Sequence, residues 1–503
     1  MAKRYYGVHL GHDANIAIFN EDGELDFFSQ AERVCRQKNA RPGYSMENFG
    51  GFPWPTKEDV TAIVAIGPSK FKLWKAGHSF DTDIERQFQE NGYTHHSLGA
   101  NFALPKYSFH HHLCHVAAAW MYRSDNKKKF CLAYDGAGHD AKGDLTCYLG
   151  GYISDEGFER VDITPIPSSA VFSKLLGSNS PGKAMGLAGY FESTEPINHL
   201  DFLKFIENSC GETNNFLGGP PQIQKPHDDE DLIFVAKLYK FWIDHIWNAI
   251  ELNIKQHRKP DQGVLIGGGT TLSLELNTRI WNMCKNVTFC PATDDSGLSI
   301  GAAAYCYFQE TGKWPKALLR ANLQHVHVPN PKVGPQSPQR VARLIANGKI
   351  VALVRGDAEA GPRALGFRSL LARADKEFNL PKISQHIKGR EHYRPLSPMV
   401  TSDTFSKYFV GPMGEFMQYR VHCNELCQKE LPAIVHKDLS SRPQVVFAEK
   451  DPWLYTMLQE YEKLTGHTVV INTSLNSKGM PICNTLKDVK SDMMNKNVEI
   501  ISL

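Results

Sequence analysis

The run HHHLCHVAAAW is the most chemically suggestive in the sequence. His111 and His115 are four residues apart, so a helix would put both imidazoles on one face, as a bound metal ion requires. His112 lies about 100° round the helix and cannot join them in the same geometry. An HxxxH pair by itself is more often a run of surface histidines at a polar helix end. Two aspartates change that balance. Asp135 ends an apolar run at Asp-Gly-Ala-Gly, and Asp295 lies in PATDDSGLSIGAAAY, just before a small-residue helix. Aspartates at strand ends beside Gly-rich turns are where α/β folds hold ligands, although each alone also reads as a cap or turn former, a part open to Asp294. Two His and two Asp form a mixed nitrogen and oxygen donor set suited to iron, manganese or zinc.

A second set of residues suits phosphates. Gly267, Gly268 and Gly269 follow a strand, where glycines let the backbone approach a nucleotide closely, although many α/β turns are Gly-rich. Lys183, in SPGKAMGLAGYF, stands at the start of a small-residue helix and fits phosphate binding or plain exposure. Arg363 and Arg368 lie inside the apolar stretch GPRALGFRSLLA. IKGREHYRPLSP adds Lys388, Arg390 and Arg394, SSRPQVV adds Arg442, and NTSLNSKG adds Ser474. Arginines embedded among apolar residues point to a buried anion site in which guanidinium forks hold phosphate or carboxylate. For any single one, a structural salt bridge is about as good a reading.

The elements that must position these residues are α/β in pattern. Short apolar runs at Tyr5–Leu10, Ile16–Phe19 and Leu25–Phe28 are separated by turns at His12-Asp13 and Asp22-Gly23, which indicates antiparallel hairpins. Thr61–Ile66 is a further strand. The arrangement returns at Phe130–Tyr134, the turn DGAGHDAKGD and Leu145–Tyr152, so a duplicated α/β domain is expected. Leu232–Ile254 is apolar at helical spacing. Residues 207–229 are polar and rich in Gly and Pro, and read as a surface loop or lid. A proline-rich stretch, 313–338, places a domain boundary near 330. A second α/β region follows, with a helix at Arg340–Ala346 and strands at Ile350–Val354 and His467–Ile471.

Bulk properties exclude several classes. A chain of 503 residues suits two or more domains, and 42% apolar with 22% charged residues is ordinary for a globular protein. A net charge of +2 gives no strong field toward nucleic acid or membrane. No apolar stretch spans a bilayer, and MAKRYYGVHLGHD enters a strand pattern at once, with no apolar signal region. The 11 scattered cysteines make no disulfide framework, so a cytoplasmic setting is expected. Cys423 and Cys427 are four apart but have no second pair at zinc-site spacing.

Taken together, these motifs resemble the NodU/CmcH carbamoyltransferase family. The resemblance rests on GHDANIAIF, AERVCRQK, HHLCHVAAA, LAYDGAGHD, SPGKAMGLAGY, IGGGTTLSLELN, DDSGLSIGAA, GPRALGFRSLLA, IKGREHYRPLSP, SSRPQVV and INTSLNSKGMPI, which stand in family order over nearly the whole chain. The chain departs at His139, where the family often has Glu, and at Phe367, where it usually has Asn. It also looks short for the family, so acceptor-binding insertions are expected to be absent. The resemblance implies a duplicated actin/Hsp70-like (ribonuclease H-like) ATPase domain over 1–330 and a smaller YrdC-like α/β domain over 331–503.

It also implies an activity: carbamoyl phosphate and ATP give carbamoyl-adenylate and pyrophosphate in the second domain, and an acceptor hydroxyl then displaces AMP in the first. The implied metal ligands are His111, His115, Asp135 and Asp295, with Fe2+ first and Mn2+ or Zn2+ as alternatives, and Mg2+ accompanies ATP. His12 would be the base near the acceptor hydroxyl, and Lys38 would help hold the intermediate. Lys388, Arg442 and Ser474 would hold carbamoyl phosphate and ATP. The acceptor is expected to be a small molecule: a sugar, a polyketide or antibiotic, or a hydroxymethylated nucleoside or nucleotide. A homodimer is compatible with this reading. Transfer to tRNA or protein, or kinase or ATPase chemistry on the same fold, are the alternatives. Neither a basic surface nor zinc-finger spacing supports the former, and a kinase needs neither the His pair nor the arginine-rich second region. A non-catalytic ATP-binding role sits poorly with the presence of every implied site residue.

Overall fold

The structure, a computed structural model, describes residues 2–40, 53, 55–56, 58–64, 106–140, 144–169, 180–191, 195–198, 200–201, 229–326 and 329–503. The hairpins read from the N-terminal sequence are present. β1 (Tyr5–His9), β2 (Asn15–Phe19) and β3 (Leu25–Gln30) run antiparallel, with Tyr5 opposite Phe19 and Ile16 opposite Ser29. β4 (Val60–Val64) joins the other edge of β1 in parallel, and β5 (Tyr107–Phe109) joins β4, giving the order β3-β2-β1-β4-β5. β1, β2 and β4 are buried along their whole length, which explains their near-continuous apolar runs.

The same topology recurs. β6 (Lys129–His139), β7 (Leu145–Ser154) and β8 (Gly157–Val161) are antiparallel, β9 (Val264–Gly267) lies parallel to β6, and β10 (Val287–Thr288) lies parallel to β9. Read from its far edge, the order β8-β7-β6-β9-β10 repeats that of the first sheet. Two copies of a three-strand meander followed by two parallel strands make up the duplicated actin/Hsp70-like, ribonuclease H-like architecture. β6 differs from expectation, because the strand does not stop at Tyr134. It continues to His139 through a register break between Tyr134 and Gly138, and Asp135 lies in that break.

The remaining strands form a mixed six-stranded sheet and a small three-stranded one. They are β11 (Val351–Val354), β12 (Arg368–Arg373), β13 (Ser397–Thr401), β14 (Phe409–Val410), β15 (Val421–Cys423), β16 (Ser440–Ser441), β17 (Gln444–Val446), β18 (Val470–Ser474) and β19 (Glu499–Ser502). The larger sheet has the order β17-β13-β18-β12-β11-β19. The segment between the halves is tied to both: His325 N–H donates to Phe28 O at 2.8 Å, and Val333 bridges to Ser502. The long helix runs Asp229–His257, beyond the apolar pattern at both ends. Asp229, Glu230 and Asp231 in its first turn, with Lys255 and His257 in its last, suit the helix dipole and carry no apolar signal. The lid expected over 207–229 lies outside the described residues save Asp229. No helix among the described residues is long and apolar enough to cross a membrane.

Two glycines set the central packing. Helix Leu298–Thr311 lies between β1 and helix His111–Trp120. A Cβ on Gly301 would stand 1.8 Å from Cys114 O, and one on Gly7 would stand 2.1 Å from Ser299 O. The backbones are therefore in direct contact. Gly301→Ala should lower the free energy of unfolding by about 1–3 kcal/mol through overpacking. Gly182→Ala, where a methyl meets nothing within 4 Å, should not destabilise. Urea midpoints of the two variants check this.

Candidate active site

Helix His111–Trp120 begins at His110, whose Nδ1 accepts from His112 N–H at 3.1 Å, and it presents His111 and His115 on one buried face. Asp135 reaches them from the register break of β6. Asp295 reaches them from a turn capped by Asp294, which accepts from Ser296 N–H at 3.3 Å. His115 Nε2 lies 3.2 Å from both His111 Nε2 and Asp135 Oδ2. His111 Nε2 lies 3.5 Å from Asp135 Oδ2, and both imidazoles are 3.4 Å from Asp295 Oδ1. A tetrahedron of ligands about 2.0–2.1 Å from a central ion has edges of about 3.3–3.4 Å. The four donors therefore fit one divalent ion, with two nitrogens and two oxygens converging on a point. Burial pushes His111 down, but Asp295 and Asp135 outweigh it and hold the imidazole up at about 10. His115 is raised in the same way. Metal-free, the cluster binds protons where an ion would sit.

His12 stands beside the cluster. Its Nδ1 is 2.9 Å from Asp13 Oδ2, and its Nε2 is 3.3 Å from Asp295 Oδ2. Asp13, at φ 61°, also accepts two bonds from Asn39 Nδ2, at 3.0 and 3.1 Å. The hydrogen bond to Asp13 and the charge of Asp295 raise His12 to about 9 against burial. Buried His9 supports the turn by bonding His12 O at 2.9 Å.

The phosphate-type residues cluster in the C-terminal half. Lys388 is buried, with Nζ bonded to Ser474 O and Asn476 Oδ1, and to Ser474 Oγ at 3.2 Å. Arg390 donates to Thr473 Oγ1 and Ser474 Oγ, both at 3.2 Å, and Arg442 donates to Ser397 Oγ at 3.1 Å. Burial, then Arg363, Arg390 and Arg394, push Arg442 well down. Burial, then Arg394 and Arg363, push Arg390 down to about 9. Arg363 is pushed down to about 10 by burial, against Asp294. Lys38 is lowered by burial, with Arg394, Arg390 and Lys183 adding to the effect against Glu32. Crowded cations of this kind call for an anion.

One cavity of about 700 Å³ joins the two sets. His12, Lys38, Asp135, Lys183, Gly269, Asp295, Arg363, Lys388, Arg390 and Ser474 all line it. A neighbouring cavity of about 430 Å³ shares Arg363, Arg390 and Ser474 and adds Arg442. Lys183 pairs with Glu391 at 3.1 Å, on the wall of the larger cavity.

Three sequence-derived residues stand apart. Arg368 lines neither cavity. Its guanidinium is fully buried against backbone carbonyls of Asn484, Arg355, Phe367 and Gly356, at 2.8–3.0 Å, so it braces loops and has no fork left for an anion. Gly267 and Gly268 approach protein backbone, not a ligand. A Cβ on them would stand 2.9 Å from His115 O and 2.3 Å from Tyr134 O. Sequence reasoning missed Asp13, Asn39 and Asn476. The first was legible beside His12 in GHD, and the last in NTSLNSKG; Asn39 carried no signal.

Residues 342–503 match the family described as Carbamoyltransferase C-terminus. Nodulation protein U of Rhizobium tropici is 25% identical over 547 residues, covering 95% of this chain and 91% of that one. Nodulation protein U of Sinorhizobium fredii is 33% identical over 323 residues, covering 62% of this chain and 55% of that one. An uncharacterized protein of Methanocaldococcus jannaschii is 24% identical over 539 residues, covering 99% and 98%.

The cluster sets a pH dependence. The folded value of His111, about 10, lies above its ordinary 6.5. The stabilisation it gives the metal-free protein is therefore complete below pH about 6.5 and lost as pH rises toward 10. Metal affinity runs the other way, since protons must leave first. Chelator competition should show affinity rising from pH 6.5 to 9, and His115→Ala should weaken it by more than about 100-fold. Metal analysis with thermal unfolding of the stripped protein checks both.

Proposed function

We propose, from its similarity to the carbamoyltransferase family that includes nodulation protein U, that the chain is an ATP-dependent O-carbamoyltransferase working in two steps. Residues 331–503, a YrdC-like unit, form the adenylate, and residues 1–330 pass the carbamoyl group to a small-molecule hydroxyl. The observation that carries this reading is the shared cavity, which has His12 and Asp295 on one wall and Lys388, Arg390 and Ser474 on another.

In the first step Arg363, Arg390 and Arg442 bind the phosphates of carbamoyl phosphate and ATP, and Lys388, whose Nζ is engaged by Ser474 and Asn476, holds that loop at the cavity wall. Atom balance requires inorganic phosphate as well as pyrophosphate to leave. Water opens carbamoyl phosphate to carbamate and phosphate, and a carbamate oxygen then attacks the α-phosphorus of ATP and expels pyrophosphate. The crowded cations hold these anions and release their own mutual repulsion. Enclosure keeps water from the adenylate. In the second step the acceptor oxygen attacks the carbamoyl carbon, the bond to AMP breaks, and His12 Nε2 takes the hydroxyl proton. Asp13 orients that imidazole through Nδ1. His111, His115, Asp135 and Asp295 would hold a divalent ion, Fe2+ by resemblance with Mn2+ or Zn2+ as alternatives, which polarises the carbonyl or neutralises the adenylate phosphate when bound. Asp13 and Asp295 together hold His12 at about 9, so its deprotonated fraction acts as the base, and that fraction grows as pH rises toward 9. Lys38, on the same cavity wall, steadies the intermediate.

Pyrophosphate should appear only when ATP and carbamoyl phosphate are both present, and release of ADP instead would mean kinase chemistry. Lys388→Ala or Arg442→Ala should abolish the pyrophosphate signal. His12→Asn should leave that signal largely intact and slow carbamate formation roughly 10²–10⁴-fold. Near-wild-type carbamate formation by that variant would remove His12 from the mechanism.

A further inference from the structure

The short helix Ala31–Cys35 and the residue after it carry two arginines that line neither cavity. Arg33 is fully buried, and its Nη2 donates to Gly361 O at 2.6 Å and Glu359 O at 3.2 Å. Gln30, one residue before the helix, accepts from Gly361 N–H at 3.1 Å, so the Gly361 peptide groups are held from both sides. Gly361 has φ +86°, and a Cβ there would stand 2.4 Å from Pro291 O. The turn is therefore pressed against the loop that leads to Asp295. Two residues beyond Gly361 is Arg363, which lines both cavities.

Arg36 holds a second loop. Its Nη1 donates to Pro481 O and Ile482 O, each at 3.0 Å, and its Nη2 donates to Asp492 Oδ2 at 2.7 Å. The same Asp492 oxygen accepts from Ser477 N–H at 3.0 Å. That loop follows Ser474 and Asn476, the partners of Lys388. Lys38 and Asn39, which end the segment, line the larger cavity with His12.

We infer that Arg33 and Arg36 are positioning residues: from one short segment of the N-terminal half they grip the two anion-site loops of the C-terminal half, Arg33 setting Arg363 and Arg36 setting the Ser474–Asn476 loop. The inference rests on the anion site proposed above. In each arginine one terminal nitrogen of the planar guanidinium donates to both carbonyls, and Lys keeps the charge but not those fixed donor directions.

Binding of inorganic pyrophosphate, measured by calorimetry on the full chain, tests it without turnover. Arg33→Lys should weaken binding roughly 5–30-fold, and that loss should vanish in an Arg363→Ala background but persist beside Ser474→Ala. Arg36→Lys should behave in the mirror fashion, its loss vanishing with Ser474→Ala and persisting with Arg363→Ala. Thermal unfolding of each variant is recorded alongside. If Arg33→Lys does not fold, Gln30→Ala, which removes the other hold on Gly361, should show the same selective coupling to Arg363. Losses that add in every background are those of a general structural role and overturn the inference, as does the absence of any loss. Selective coupling in a protein that makes no pyrophosphate supports the inference and counts against the adenylate reading alone.

Discussion

Direct backbone contact between two helices underlies the site. Leu298–Thr311 can lie on His111–Trp120 only because position 301 has no side chain, a methyl there standing 1.8 Å from Cys114 O. Asp295 precedes the first helix by one turn, and His111 and His115 project from the second. A wider separation would leave two imidazoles and a carboxylate that could not reach one ion. Gly7 and Gly268 do the same work at β1 and β6, so the duplicated sheets converge on this seam.

The other half of the site depends on the opposite physics. Arg363, Arg390, Arg394 and Arg442 raise one another's energy while burial adds to the cost. Asp294 acts against this on Arg363 and Glu391 on Arg390, and Glu391 is already shared by Lys183 and Arg394. Packing of the surrounding sheet, with β12, β13 and β18 buried along most of their length, supplies the stability against which such crowding is maintained. The two halves then meet through hydrogen bonds from the N-terminal segment onto backbone carbonyls, contacts that hold loops in place without neutralising the cations they present.

Much of this was legible in the linear chain, because it depends on local spacing. The four-residue step between His111 and His115, the hairpins of the first sheet and the return of that pattern after residue 129 follow from helix and strand periodicity. So does the nature of the donors, since side-chain chemistry travels with the residue. Where the sequence misled, the cause was non-local. Arg368 has the same apolar setting in sequence as Arg363, yet its guanidinium ends on the carbonyls of Asn484 and Gly356, 116 and 12 residues away. Gly267 and Gly268 read as a ligand-facing turn, and only the packing of helix His111–Trp120 and strand β6 shows that they admit His115 and Tyr134 backbone. The sequence by itself determined the donor types, the antiparallel hairpins that open each repeat and the excess of arginine. Tertiary structure alone decided which arginines face the cavity, that Asp135 and Asp295 reach the same two histidines, and that metal and anion sets share one enclosure. These are properties of contacts between residues up to several hundred positions apart, and no periodicity of the chain encodes them.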